Sequence, residues 1–382
     1  MASLITEASV LAAFDEKVRD GTVMYAEDME KIYHDDGGFK FEFRLTAALK
    51  SKPAAVEDNA ELDEAQGNGK ARPDEKGNSS QPTTAKHHHH HDQADGSEHK
   101  NEIVLDKEGN LPGGDISIAG FELTTVGGGG GEGEATHVLA FNKFCAYRPH
   151  LLLLTANGRR RQFEGLDERD LGAAVEVLGV LNGRWGGEVT DGKGDEGQEY
   201  LVIFNCGKEG GCSRLHKHMQ VIPAPDAIPM WPDLVSGCGT GTGTEAKSNG
   251  GGKQQQEPPF RFFVHYFPPD LPNGNAGTAP PPSVSDLAAK YRHMLRQATD
   301  LIPGREAVVE EDGDGRAVAV PHNVILGRRW MVVIPRTKAG VEGADVNAVG
   351  MLGVVWASRQ ETVGKWRELG ARWVLGEAGV RR

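Results

Sequence analysis

The residues best equipped for chemistry stand together mid-chain: Asn205-Cys206-Gly207-Lys208-Glu209-Gly210-Gly211-Cys212-Ser213-Arg214-Leu215-His216-Lys217-His218-Met219-Gln220. A glycine-rich turn runs into an alternating His-x-His-x-Gln. Residues two apart on a strand point to the same side, so His216, His218 and Gln220 share one face, with Lys217 and Met219 on the other. The glycines let backbone N–H groups come close to anionic oxygens. One imidazole can act as a nucleophile, and the neutral amide of Gln220 can bond phosphoryl oxygens. The segment therefore suits phosphoryl transfer. Two histidines at this spacing equally suit a metal pair, or two residues on a half-exposed strand, and the segment alone leaves these readings open.

The elements that must position this site are unevenly distributed. The chain has 382 residues, 51 of them glycine, with 38% hydrophobic content. That balance points to a folded enzyme diluted by unstructured insertions. The net charge of -13 argues against nonspecific nucleic-acid binding, which needs a basic footprint. It does not forbid an anionic substrate, because local Lys and Arg set the potential in a cleft. Cys145, Cys206, Cys212 and Cys238 do not read as a secreted disulfide scaffold. Met1–Val23 has apolar residues at helical spacing interrupted by Glu7, Asp15 and Asp20, which marks a surface helix rather than a leader. Leu151–Leu154 is too short to cross a membrane. A soluble, cytoplasmic setting is expected, with a nuclear one also open.

Four regions follow from composition. Residues 1–53 and 136–236 form an N-terminal catalytic part carrying the His-x-His-x-Gln. Residues 54–135 read as a low-complexity insert, containing the runs His87–His91 and Gly127–Gly131. Such a stretch cannot bury enough apolar surface to offset its ordering entropy. A short island, Asp115–Thr125, is the exception and suits one extra strand. The histidine run reads as low complexity that binds metal only adventitiously, since no partner ligands flank it. Residues 237–257 read as a flexible linker and 258–382 as a C-terminal part.

Within these, alternation and apolar runs predict strands at Phe39–Leu45, His137–Phe141, Leu151–Thr155, Tyr200–Phe204, His216–Pro223, Phe260–Phe267, Ala317–Val320, Asn323–Leu326 and Trp330–Pro335. Helices are expected at Leu166–Asn182, Val284–Leu301 and Glu361–Leu369. The class is α+β, a mainly antiparallel sheet with flanking helices and long disordered insertions.

Several separate motifs carry a resemblance. They are Ala12-Ala13-Phe14 with Met24-Tyr25, Phe41-Glu42-Phe43-Arg44 with Lys52-Pro53, and His137-Val138-Leu139 with Asn142-Lys143-Phe144. The central Asn205–Gln220 segment and Pro259-Phe260-Arg261 follow. Asn323-Val324-Ile325-Leu326, the run Arg328–Arg336 and Val346-Asn347-Ala348-Val349-Gly350 complete them. In this order they resemble the diadenosine tetraphosphate phosphorylases, or ATP adenylyltransferases. These belong to the galactose-1-phosphate uridylyltransferase branch of the histidine-triad superfamily.

The resemblance implies a histidine-triad/uridylyltransferase-like fold and phosphorolysis of diadenosine tetraphosphate to ATP and ADP. His218 would be the nucleophile, forming an adenylyl-histidine. His216 would orient the site, its alternative being a packing histidine bonded to backbone. Gln220 stands where hydrolytic relatives carry a third histidine, and an amide cannot activate water. Gly211, Cys212, Ser213 and Arg214 would cradle the α-phosphate with N–H groups. Asn205 would bond phosphate or ribose, Asn142 and Lys143 the nucleotide, and Lys52 the polyphosphate tail. Asn323 and Arg329 would meet the second nucleotide half or the acceptor. Arg328 and Arg336 read as solvated surface charges. The partners implied are a dinucleoside polyphosphate and inorganic phosphate, with no nucleic acid and no membrane. Mg²⁺ or another divalent cation would travel with the polyphosphate.

One departure stands out: Arg214 occupies a position where the family carries Gln. A Cys206, Cys212 and His216 zinc cluster has a spacing that matches no common structural site. Rival readings are a nucleoside-diphosphate-sugar phosphorylase, a nucleotide hydrolase, or a nucleotide-binding sensor without turnover.

Overall fold

Apolar runs such as Leu151–Leu154 and Tyr200–Phe204 imply strands buried on both faces, and these strands lie inside one large sheet. The computed structural model describes residues 5–56, 103–127, 135–182, 198–235, 257–267, 281–304 and 319–382. Eight strands form the sheet: β3 (Glu122–Val126), β4 (His137–Phe141), β5 (Leu151–Thr155), β6 (Tyr200–Cys206), β7 (His218–Pro223), β8 (Phe263–Tyr266), β9 (His322–Leu326) and β10 (Trp330–Pro335). Their order is β3-β4-β5-β7-β6-β9-β10-β8. Every neighbouring pair is antiparallel.

Register divides the side chains between two faces, because partners opposite each other point the same way. Leu154 pairs with His218, Leu152 and Ile203 with Gln220, and Asn205 with Asn323. His218, Gln220, Asn205 and Asn323 therefore share one face. Met219, Val221, Val202 and Phe204 point the other way, into a core closed by three helices. These are α1 (Glu7–Arg19), α2 (Glu168–Asn182) and α4 (Val284–Asp300). Helix α1 starts where Thr6 and Ser9 cap each other's backbone N–H at 3.2 and 2.9 Å. It inserts Phe14, which meets Phe141 edge-on at 5.7 Å.

The site-bearing face has two separate covers. Over β4 and β5 lies a small core of Leu111, Ile118, Val138, Ala140, Leu152 and Leu154. Over β6, β9 and β10 lies a larger one built by the C-terminal region and a three-stranded sheet, β1 (Glu30–Asp36), β2 (Phe39–Leu45) and β13 (Val354–Ala357). The remaining short elements are the 3₁₀ turn Ala47–Ser51 after β2, α3 (Trp231–Val235), the ribbon β11 (Gly340–Val341) with β12 (Ala344–Asp345), α5 (Ala348–Met351), α6 (Gln360–Leu369) and α7 (Ala371–Ala378). Trp366 of α6 packs edge-on against Phe43 at 5.9 Å and so seats the small sheet. His218 and Gln220 lie where the two covers meet.

Several expectations change. The insert is not uniformly low in structure: residues 103–127 are folded, with Leu111 and Ile118 buried and β3 paired to β4. Leu105, Ile116 and Ile118 give this stretch the apolar side chains that the surrounding composition hides. Strand β7 begins at His218 rather than His216, since His216 makes only an isolated bridge with Arg161. Strand β8 covers Phe263–Tyr266, while Phe260 bridges to Arg381 instead. Ala319 and Val320 are buried without strand pairing. The expected strand there starts at residues 317–318, which lie outside the described residues, as do the histidine run and most of the 237–257 linker. Strands β1 and β13 and helix α7 carried no clear sequence signal; β1 is largely exposed and polar, so its alternation is weak.

Candidate active site

The chemistry begins with how His218 is held. Its Nδ1 donates to the carbonyl of His216 at 2.8 Å. The proton therefore sits on Nδ1, and Nε2 keeps its lone pair with no partner among the described residues. Burial lowers the pKa of this imidazole, and the positive charges of Lys52 and Arg214 push the same way. Its bond to the His216 carbonyl and the nearby Asp115 oppose them. The ring is thus neutral at pH 7, as a nucleophile requires.

Strand β7 is fixed here by a side chain. The β6–β7 ladder stops at Ile203 and Gln220. Beyond it Gln162 fills the opening: its Oε1 accepts from His218 N at 2.7 Å, and its Nε2 donates to Asn205 O at 2.9 Å and His218 O at 3.0 Å. One amide replaces the missing rungs. Nothing in Arg159-Arg160-Arg161-Gln162 signals this role in sequence.

His216 does not face the site. Its ring is fully buried, and Nε2 lies 2.9 Å from the Thr155 carbonyl, to which it donates. Burial pushes its pKa down to about 3. Its contribution is the backbone carbonyl that grips His218. On the opposite side of the sheet Lys217 is equally buried, donating to Asp170 at 2.6 Å and to Gly165 O at 2.6 Å. Asp170 also meets His137 at 3.0 Å. Burial alone would raise the Asp170 carboxyl; the Lys217 charge and His137 hold it far below the usual range.

Gln220 is oriented by a residue that the sequence did not single out. His150 Nε2 donates to Gln220 Oε1 at 2.8 Å, which leaves the amide NH₂ as the end free to donate. His150 is fully buried, which pulls its pKa down to about 4. Its ring lies edge-on to Trp356 at 5.2 Å, and Trp356 to Tyr147 at 5.8 Å. Arg44 caps Tyr147 from 3.9 Å. Asn142 belongs to the same cluster: its Nδ2 donates to His150 Nδ1 at 3.5 Å and its Oδ1 accepts from Phe144 N at 3.1 Å. Lys143 is exposed and leans over the Phe144 ring instead.

The glycine turn is built differently from expectation. Gly207 and Gly211 have φ of +72° and +86°, the region that glycine tolerates. A Cβ on Gly211 would lie 2.6 Å from the Val346 carbonyl. The N–H groups of Gly211 and Cys212 are spent inside the turn, on Lys208 O at 2.8 Å and Gly207 O at 3.3 Å. The N–H groups of Ser213 and Arg214 meet no acceptor among the described residues, so these two are the donors available to a phosphate. Arg214 reaches back to Ala54 O at 2.7 Å, beside Lys52. Desolvation by the surrounding protein and the Arg214 charge lower the Lys52 pKa, although part of the side chain reaches solvent. The charges of both cations act on His218.

Asn205 and Asn323 support the turn from behind. Asn323 is fully buried and donates to Asn205 Oδ1 at 3.0 Å and Gly210 O at 2.7 Å. Asn205 Oδ1 also accepts from Ala348 N at 2.8 Å. Arg336, expected at the surface, is 1% exposed. It donates to Asn323 Oδ1, to Gly210 O at 3.3 Å, to Val346 O and Lys338 O at 2.8 Å each, and to Ala378 O at 3.0 Å. Arg328 is buried as well. Arg329 stands apart from the site. It caps the far end of the β9–β10 hairpin, paired with Glu199 at 2.8 Å and Asp233 at 2.8 Å. Glu199 precedes β6, whose opposite end carries Asn205, roughly 20 Å away at ~3.3 Å per residue. Among the described residues no three His, Cys, Asp or Glu side chains gather as a metal site. No helix among them is long and apolar enough to cross a membrane.

Residues 256–381 match the ATP adenylyltransferase C-terminal domain. The chain is 25% identical over 238 residues to diadenosine 5',5'''-P1,P4-tetraphosphate phosphorylase 2 of Saccharomyces cerevisiae, covering 60% of this chain and 64% of that protein, a little under two thirds of its length. It is 24% identical over 249 residues to protein APA1 of the same organism, covering 65% and 69% respectively. The crystal structure of yeast Ap4A phosphorylase Apa2 in complex with Ap4A superposes with a TM-score of 0.61 at 18% identity, over 100% of this chain and 99% of that one. The same enzyme in complex with AMP gives 0.57 at 18% identity, over 99% and 98%. The α+β fold is that of Apa2, and residues 256–381 carry the likeness to the ATP adenylyltransferase C-terminal domain.

Proposed function

We propose that the protein phosphorolyses diadenosine tetraphosphate to ATP and ADP through an adenylyl group carried on His218. The observation that carries this reading is the state of that ring: Nδ1 committed to the His216 carbonyl, and Nε2 without a partner among the described residues and within the field of Lys52 and Arg214. Nε2 attacks the α-phosphorus, forming an N–P bond as the P–O bond to the bridging oxygen breaks. ATP leaves with that oxygen. An oxygen of inorganic phosphate then displaces His218, and ADP departs. Dividing one displacement into two gives ping-pong kinetics.

The surrounding residues suit these steps. The Ser213 and Arg214 N–H groups and the Gln220 NH₂ donate to phosphoryl oxygens as charge develops there. Lys52 and Arg214 hold the polyphosphate leaving group and, in the second step, the phosphate. Gln220 has no proton to exchange, which favours phosphate over water as acceptor. Mg²⁺ would travel with the polyphosphate and shield its charge; among the described residues no three His, Cys, Asp or Glu side chains gather to hold it. A cytoplasmic or nuclear setting supplies such nucleotides.

The test is product analysis with labelled substrate. ATP should be released in burst fashion, with ADP formed only when phosphate is present, and His218→Ala should abolish transfer of labelled AMP to protein. AMP formed without phosphate would instead establish a hydrolase. Labelling that survives His218→Ala would place the nucleophile elsewhere.

A further inference from the structure

Asp115 belongs to none of the motifs that carry the chemistry. It lies in the folded part of the insert, between Leu111 and Ile118, whose side chains are buried over β4 and β5. Its carboxylate is divided between two peptides. Oδ2 accepts from Leu215 N at 2.9 Å and Oδ1 from His216 N at 2.8 Å. These are the peptide groups at the approach to the nucleophile's strand. The carbonyl of His216, on the same residue, is the acceptor that fixes the His218 ring at 2.8 Å.

The loop is shaped for this contact. A Cβ on Gly114 would come within 2.6 Å of His216 Nδ1, so only glycine lets the backbone lie against that ring. The loop is closed by Gly114 N donating to Leu111 O at 2.8 Å. A Cβ on Gly158 would meet Gly114 N at 2.6 Å, so a second glycine is needed beneath it.

Charge points the same way. The charged groups acting on His218 are Asp115 on one side and Lys52 and Arg214 on the other; His216, itself neutral, faces it through its carbonyl, and Gln162 and Gln220 carry no charge. The two cations match a polyphosphate. They do not favour the positive charge that the ring acquires once Nε2 is phosphorylated. A carboxylate does.

We infer that Asp115 is a positioning residue: it holds the Leu215 and His216 peptides so that the His218 ring is aligned for attack, and it offsets the charge formed on that ring. This rests on the adenylyl-transfer reading of His218. It also turns the folded insert into a part of the catalytic machinery rather than a passive decoration.

Asp115→Asn in the full-length chain is the test. The side chain keeps its shape but loses its charge and turns one acceptor into a donor. The His218 labelling rate and kcat should fall about 10- to 100-fold, the cost of a small misplacement, with KM nearly unchanged. The acidic limb of kcat/KM should move to lower pH, because removing a nearby anion lowers an imidazole pKa. A merely structural role would leave that limb in place. Asp115→Glu keeps the charge and displaces the hydrogen bonds, so it should slow labelling while leaving the limb near its wild-type position, and it serves equally if the Asn variant does not fold. Wild-type labelling rates in both variants overturn the inference. So does a loss of rate that tracks the folded fraction and disappears in the cold with the limb unmoved. A failure of the wild-type chain to label at all is a separate result, against the adenylyl reading. In that case the His218 pKa in the two variants, read by NMR of labelled histidine, still reports whether Asp115 acts on the ring.

Discussion

At the residue scale the site depends on groups that fix protons rather than transfer them. His150 decides which end of the Gln220 amide faces the substrate. His150→Ala should leave Gln220 free to rotate and lower kcat about 10- to 100-fold, less than the loss of a whole oxyanion donor. Stopped-flow measurement of the first turnover would show it. Arg336 shows a different dependence. Its guanidinium is the shared donor for Asn323 and for backbone carbonyls of the turn and the C-terminal region. Arg336→Met would strand those acceptors without water, so unfolding in urea should show a loss of about 3 kcal/mol or more. Neither residue could be ranked in sequence. An arginine in Pro335-Arg336-Thr337 looks like any surface charge until five acceptors are placed around it.

At the element scale, the phosphate turn and the start of β7 are fixed from three directions. Gln162 fills the gap where β6 and β7 part, Asp115 holds the approach, and Asn323 with Arg336 holds Gly210 from behind. The turn's own geometry needs glycine at 211, where φ is +86° and Val346 O lies in the path of any Cβ. Gly211→Ala should cost more than ~1 kcal/mol in stability and displace the Ser213 and Arg214 N–H groups. The denaturation midpoint and the AMP-labelling rate would both fall. The glycines, the His-x-His-x-Gln and most strands of the large sheet were legible in sequence, because period-2 alternation and apolar runs are local signals. Of the four expected donors, Gly211 and Cys212 spend their N–H groups inside the turn and Ser213 and Arg214 do not, a division that depends on how the turn closes.

At the scale of the whole molecule, the insert divides in two. Replacing residues 57–102 with a flexible linker of about 20 residues should leave turnover within a few-fold of wild type. Extending the deletion through residue 127 removes β3, the small core over β4 and Asp115, and should abolish labelling; the comparison needs only the burst assay on both deletions. Acid should also weaken the fold as a unit. His150, His216 and His322 are buried and neutral, with pKa values pushed down to about 4, about 3 and about 4 from 6.5. Unfolding lets them take up protons, so the unfolded state binds more of them. Their contribution is complete above about pH 6.5 and is lost as the pH falls toward 4. Each tenfold drop in proton affinity is worth about 1.4 kcal/mol, so three such groups together amount to several kcal/mol. Thermal melts from pH 7.5 down to 4.5 should show a steady fall in Tm, and a flat profile would count against neutral buried histidines.

Sequence by itself determined the alternating His-x-His-x-Gln, the glycines of the turn before it, and an antiparallel α+β frame. Those follow from residue type and short-range spacing, which a chain carries locally. Tertiary structure alone decided what each polar side chain is for. Asn205, Asn323, Arg329 and Arg336 became supports, while His150, Gln162 and Asp115 were recruited to the site from loops with no signal of their own. The physical reason is that a buried polar atom must find its partner, and the partners here lie up to 143 positions apart in the chain.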